Sequence, residues 1–257
     1  ALARGARRIV LGLGGSATND GGAGMLSALG VKFYDGDGQA FVPVGNTLKN
    51  IKAIDVSDFR KSVEGRIFRV LTDVKNPLTG AKGCSRIFAP QKGASAQDVE
   101  ELETNMLHYV TQTAFTGVDP NFEGAGAAGG LGYCFKAFFD AEIVSGAEYF
   151  TSTEDFEKAF EECDVVISGE GRFDETGGDS SRAGKICPKV ISDAIRAGKK
   201  AAVFCGEKSE GFKFGEAEIV EINDRTISLK ENVALCGEHL EKALRAFAEK
   251  IVGKTVE

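Results

Sequence analysis

Histidine is scarce. Only His108 and His239 occur in 257 residues, and both fall in helical-looking segments, where packing or surface roles are expected. Acid–base chemistry in this chain must therefore fall on carboxylates or lysines. Paired cysteines are also missing. The six, at 84, 134, 163, 187, 205 and 236, are widely spaced, which excludes a CxxC metal or redox motif and predicts reduced, mostly buried thiols. No apolar run approaches the length of a bilayer span and no leader-like segment opens the chain, so a membrane partner is not expected and a cytoplasmic location is. The P-loop signature GxxxxGK[ST] is absent. Positive charge is in deficit: 31 Lys and Arg against 38 Asp and Glu give a net charge of −7, which argues against a nucleic-acid surface but leaves room for a local basic pocket. A small-molecule partner is expected.

What is present is a soluble globular composition, 42% hydrophobic and 27% charged, with 33 glycines gathered into several loops. The stretch IVLGLGGSATNDGGAGMLSAL, residues 9–29, organises the rest. Its apolar start predicts a buried strand and its end predicts a helix beginning near Ala23. Between them lie five glycines together with Ser16, Thr18, Asn19 and Asp20. Glycine lets a backbone approach a ligand, and unpaired amides at a helix N-terminus attract anions, so phosphate or carboxylate binding is the functional expectation.

The remaining elements follow in order. ALARGARR predicts the last turn of an amphipathic helix, and the expectation is that sequence once preceded it. Val31–Tyr34 and DGDGQ predict a strand and hairpin turn. RIFRVLTDV and SRIFAP predict strands, and residues 41–60 carry no clear period. Ser95 with Asp98 predicts a capping box opening an apolar-striped helix. GAGAAGGLG, residues 124–132, lacks polar side chains and predicts close packing or a hinge before a helix. DVVISGEGRFD predicts a strand ending in a polar loop. Helix, strand, strand and a long helix follow, the last with Val233, Cys236, Leu240, Leu244, Phe247 and Ile251 on one face. Such alternation predicts parallel sheets in an α/β architecture, with a boundary near residues 145–152.

Three loops lie beyond predicted strands: GLGGSATNDGG, TDVKNPLTG with APQKG, and SGEGRFD with AGK. Ligands collect beyond the carboxyl ends of strands, so these loops are expected to converge. They supply Asp20, Asp73, Glu170, Asp174, Lys92, Arg172 and Lys185, the donors and carboxylates that phosphoryl transfer requires. A competing reading takes Gly12, Gly14 and Ala17 as GxGxxA, with Asp35 as the ribose acid of a nicotinamide enzyme. Against it, Asn19-Asp20-Gly21-Gly22 falls where the dinucleotide helix should already run, and each glycine there would weaken that helix by roughly 1 kcal/mol.

GGSATNDGGAGMLSALG, TDVKNPLTG, FAPQKG, GAGAAGGLG and GEGRFD, in this order, together resemble the type I glycerate kinases. The resemblance implies ATP-dependent, Mg²⁺-assisted phosphorylation of glycerate, usually at the 2-position in bacterial members. It also implies two α/β domains of different topology, Rossmann/flavodoxin-like and restriction-endonuclease-like, one of them discontinuous. On that scheme residues 1–150 form the inserted domain and 151–257 the C-terminal part of the discontinuous one, with a homodimer left open. Asp73, Asp174, Arg172 and Lys92 are the catalytic candidates, with Asp73 first as the group that orients or deprotonates the hydroxyl. Gly14, Gly15, Ser16, Asn19, Asp20, Gly169, Glu170 and Lys185 are the ATP-binding candidates, and Asp20 and Asp174 the candidates for Mg²⁺. Two departures stand out: the family's upstream DSFK-like and ADGGEGT-like segments are absent. The family's GR-x-D-x-Q-T-x-x-GK is stretched between Thr176 and Lys185 and has no counterpart of its Gln.

Overall fold

The computed structural model describes residues 1–173 and 186–252. They fall into two compact units, Ala1–Tyr149 and Phe150–Glu257. The first carries β1 (Arg8–Gly12), α1 (Ala23–Ala28), β2 (Lys32–Tyr34), β3 (Ala40–Phe41), β4 (Ala53–Asp55), α2 (Ser57–Val63), β5 (Ile67–Leu71), α3 (Cys84–Phe88), α4 (Ala96–Gln112), α5 (Ala127–Phe139) and β6 (Glu142–Val144), and α6 (Gly146–Thr151) runs across the boundary. The second carries α7 (Glu154–Glu162), β7 (Val165–Phe173), α8 (Ile186–Arg196), β8 (Lys200–Lys208), β9 (Glu218–Glu221) and α9 (Leu229–Val252).

In the first unit a parallel sheet of order β1-β5-β6 is set by apolar runs, Ile9 lying opposite Phe68 and Leu11 opposite Val70. A small antiparallel sheet, β3-β2-β4, grows from the predicted hairpin, where the Asp35 carboxylate accepts from the amides of Asp37 and Gln39 and closes the turn. The core is aromatic: Phe139 of α5 meets Phe68 of β5 and Phe59 of α2 edge-on, with centroids 4.8 and 4.9 Å away. Helix α4 starts where its capping box does. Ser95 Oγ accepts from Asp98 N at 3.2 Å while Asp98 Oδ2 accepts from Ser95 N at 2.8 Å. Ser95→Ala is expected to lower stability by about 1 kcal/mol with activity unchanged, read as a shift in the denaturation midpoint at constant slope.

The second unit is a parallel sheet, β7-β8-β9, with Val165 opposite Lys200 and Phe173 opposite Lys208. Cys187, Val190, Ile191 and Ala194 of α8 pack on one face with Val166, Phe173 and Val203. Phe247 of α9 packs on the other, with Ala202 and Phe204.

Three expectations are corrected. SRIFAP is not a strand but helix α3 and the turn after it: burial recurs every four residues, at Ser85 and Ala89 with Cys84 and Phe88 beside them, which is a helical period. The GEGR segment is not a loop but the second half of β7, because glycine and glutamate backbones continue the ladder to β8 in unbroken register. The apolar face of α9 is packed only in its later turns. Val233 is 69% exposed and Cys236 is also exposed, so that part of the face overhangs the sheet instead of resting on it. The chain's start is a single 3-10 turn, Leu2–Arg4, ended by Gly5 in the left-handed region. Among the described residues no helix is long and apolar enough to cross a membrane.

Candidate active site

The loop that opens the first unit runs from Leu13 to Gly22, between β1 and α1, and it is too long for a dinucleotide turn. Asp35, the would-be ribose acid, is spent on an antiparallel hairpin. Both facts remove the nicotinamide reading.

The loop's N-terminal and C-terminal halves do different things. In the second half, Asp20 Oδ1 accepts from Gly22 N at 2.9 Å and Oδ2 from Gly24 N at 3.0 Å. The carboxylate thus occupies the amides at the start of α1, and the expectation of an anion at that helix terminus is corrected: the protein's own side chain fills the place. Asn19 Nδ2 donates to the buried Ser85 Oγ at 3.0 Å, tying the loop to α3. Gly21 N donates to Gly129 O at 3.0 Å. The 124–132 loop is therefore packing, as its composition implies: Ala128, Gly129 and Gly130 are successive left-handed residues, and a Cβ on Gly129 would lie 2.0 Å from Thr18 O.

The first half stays open. Gly14, Gly15 and Ser16 line a cleft of about 140 Å³ whose other walls are Leu13, Val74, Phe88, Gln91, Lys92, Ala128 and Gly129. The amides of Gly14, Gly15 and Ser16 enter no hydrogen bond among the described residues. Across from them Lys92 Nζ donates to Ser16 Oγ at 3.2 Å and to Thr18 O at 2.6 Å. Lys92 follows Pro90 in a 3-10 turn that continues from α3, so the segment 84–92 meets the loop twice, through Ser85 and through Lys92. Burial holds the Lys92 ammonium below the ordinary lysine value of 10.5, the charges of Cys84 and Asp20 pulling weakly the other way. No carboxylate forms an ion pair with it among the described residues. Burial also pushes the Cys84 thiol up to about 11, which removes it as a nucleophile at neutral pH.

Asp73 stands just beyond the carboxyl end of β5, one residue before Val74 of the cleft wall. Its Oδ1 accepts from Ser145 Oγ at 2.9 Å and from Ala147 N at 3.3 Å, fixing the carboxylate against the β6–α6 turn. Its Oδ2 accepts no hydrogen bond among the described residues. The structure therefore brings Gly14, Gly15, Ser16 and Lys92 together and places Asp73 at the adjoining strand end.

In the second unit Gly169 and Glu170 lie on β7 along a largely apolar groove of about 760 Å³ beneath the overhanging turns of α9. Arg172, also on β7, is exposed and pairs in register with Glu207 of β8. Asp174 and Lys185 lie outside the described residues. Among the described residues no group of three or more His, Cys, Asp or Glu side chains is placed to hold a metal, and Asp20 is committed to its cap. Sequence reasoning missed Ser85, Gln91 and Phe88. The signal was the four-residue repeat of small and apolar side chains before Pro90, hidden by assigning SRIFAP to a strand.

Comparison with known proteins adds to this geometry. Residues 1–252 match the glycerate kinase family. The glycerate 2-kinase of Escherichia coli (strain K12) is 46% identical over 176 residues, covering 68% of this chain and 46% of that protein. The glycerate kinase of Bacillus subtilis (strain 168) is 33% identical over 253 residues, covering 98% of this chain and 66% of that protein. Among solved structures, a glycerate kinase 2 from Salmonella typhimurium LT2 superposes with a TM-score of 0.77 at 33% identity, covering 98% of this chain and 66% of that one. The chain thus spans about half to two thirds of the length of these relatives.

Proposed function

The chain belongs to the glycerate kinase family, and from that premise we propose that it phosphorylates glycerate with ATP, to 2-phosphoglycerate, in the cytoplasm. The observation that carries the reading is the cleft in the first unit. A half-buried ammonium with no counter-carboxylate among the described residues shares the cleft wall with Gly14, Gly15 and Ser16, whose backbone amides bond nothing among those residues, a donor set that suits an oxyanion. In the reaction the acceptor hydroxyl oxygen forms a bond to the γ-phosphorus, and the bond from that phosphorus to the β–γ bridging oxygen breaks. ADP leaves, and the hydroxyl proton passes to Asp73 Oδ2. Gly169, Glu170 and Lys185 stay ATP-binding candidates, and Arg172 and Asp174 catalytic candidates, on the family resemblance alone. Mg²⁺ bound with the nucleotide would offset phosphate charge; of its two candidate ligands Asp20 is committed to its cap and Asp174 lies outside the described residues.

The test is ADP release from Mg-ATP against a panel of small hydroxy acids. Release that depends on glycerate supports the reading, whereas no ADP release with any acid of the panel contradicts it.

A pH dependence follows from Lys92. Burial disfavours its charged form, so the folded chain gives up this proton below pH 10.5, where the unfolded chain still holds it. The group therefore costs stability at neutral pH, and that cost fades as pH rises through the window. Activity that needs the charge moves the opposite way. The alkaline limb of kcat/KM for the acid is expected below 10.5, and Lys92→Arg should shift it upward, since guanidinium stays protonated. An alkaline limb unchanged in the arginine variant would assign the limb to another group.

A further inference from the structure

We infer that the cleft between the Gly14–Ser16 segment and Lys92 holds the carboxylate end of the short hydroxy acid, and that the nucleotide's phosphates bind elsewhere. The inference rests on the kinase reading for the identity of the acid but on the cleft itself for its assignment.

Size comes first. The cleft offers about 140 Å³. That lies below the roughly 300–1,000 Å³ taken up by drug-sized ligands, the class to which a nucleoside triphosphate belongs, and it suits a three-carbon acid.

Charge agrees with size. Among the described residues Lys92 is the one charged residue on the wall, so that wall complements a monoanion; a triphosphate carries several negative charges that one ammonium leaves uncompensated. Wall chemistry agrees as well. Ser16, Gln91 and Lys92 are polar, while Leu13, Val74 and Phe88 offer apolar contact to a short carbon chain. A phosphate chain has no use for such contact. The hydrogen bonds already present show how the exchange would run. Lys92 Nζ spends its donors on Ser16 Oγ and the Thr18 carbonyl, both acceptors of the loop itself, and a carboxylate oxygen accepts a stronger, charge-assisted bond from the same ammonium. The second carboxylate oxygen is left for the amides of Gly14 to Ser16. Asp73, adjoining Val74 of the wall, then stands on the side from which the acid's hydroxyl is deprotonated.

The experiment is a two-substrate initial-rate study, with glycerate and Mg-ATP each varied, on the wild-type enzyme, Lys92→Met and Ser16→Ala. It is paired with calorimetric titration of glycerate and of ATP into each protein. In Lys92→Met the KM or Kd for glycerate is expected to rise about tenfold or more, the loss of one charge-assisted hydrogen bond. The ATP constant should stay within about twofold. Ser16→Ala should move the same constant in the same direction by less. A rise in the ATP constant with the glycerate constant unchanged overturns the inference and leaves the kinase reading standing. So does a wild-type enzyme that binds glycerate as tightly as Lys92→Met. Wild-type enzyme that binds glycerate through Lys92 but releases no ADP sinks the kinase reading and leaves the cleft assignment intact. Should Lys92→Met turn over too slowly for kinetics, the titrations decide. Circular dichroism and Lys92→Gln guard against a folding defect.

Discussion

Asp73→Asn is expected to cut kcat by about 10²–10⁴-fold, the range a positioned general base contributes, with an unchanged melting temperature. The substitution keeps an oxygen where Oδ1 now accepts from Ser145 Oγ and Ala147 N, so the turn between β6 and α6 survives. What it replaces is Oδ2, which has no other partner among the described residues, and an amide nitrogen there cannot take a proton. Glycerate binding should persist, because the carboxylate contacts assigned to Lys92 and the glycine segment remain. Ser145→Ala separates orientation from chemistry: it removes one hydrogen bond to Oδ1 and leaves the carboxylate in place, so a loss far smaller than that of Asp73→Asn is expected. Near-normal turnover of Asp73→Asn would remove Asp73 from the mechanism. A matched fall in melting temperature would make its role structural.

Gly129→Ala is expected to carry the largest stability loss of any glycine-to-alanine change among the described residues, above about 4 kcal/mol. Two costs coincide there. The residue sits at φ +70°, and its Cβ would lie 2.0 Å from the Thr18 carbonyl oxygen and 2.8 Å from its carbon, rigid backbone in both cases. Thr18 cannot retreat cheaply, because its carbonyl is held by Lys92 and its neighbour Asn19 by Ser85. Gly117→Ala is the control, since it has the same φ of +70° with nothing within 4 Å of the added atom. It should show the conformational cost alone, roughly 1–2 kcal/mol. The melting temperature of the first gly variant should fall by about 10 °C or more. Equal losses in the two variants would mean that the 124–132 loop does not press on the opening loop.

Much of the first unit could be read from the residues. A short apolar run marks β1, though none of its residues is fully buried, alternation marks β5, Asp35 marks the hairpin, and Ser95 with Asp98 fixes the start of α4 to the residue. The importance of residues 12–22 was equally visible, because no simple turn collects so many glycines beside Asn and Asp. Which half of that loop stays open was not visible. Asp20 can cap or bind in isolation, and only the fold shows both of its oxygens committed to Gly22 and Gly24. Lys92 could be nominated from APQKG, but its partners lie more than seventy residues away in the chain, at Ser16 and Thr18. Local pattern carries no information about contacts at that separation. Two elements stay hidden for separate reasons: a short apolar run does not declare its period, which hides helix α3, and glycine reads as loop where strand β7 continues through Gly169 and Gly171.

Phosphorus NMR of the reaction mixture tests the kinase reading most directly, because it reports both the transfer and the hydroxyl that receives it. With Mg-ATP and glycerate the enzyme should produce ADP and an equal amount of one new phosphomonoester. Its phosphorus signal should be split into a doublet by the single proton on C2. A triplet from the two protons of C3 would contradict the 2-position, and ATP left intact in the presence of glycerate and enzyme would contradict the kinase itself.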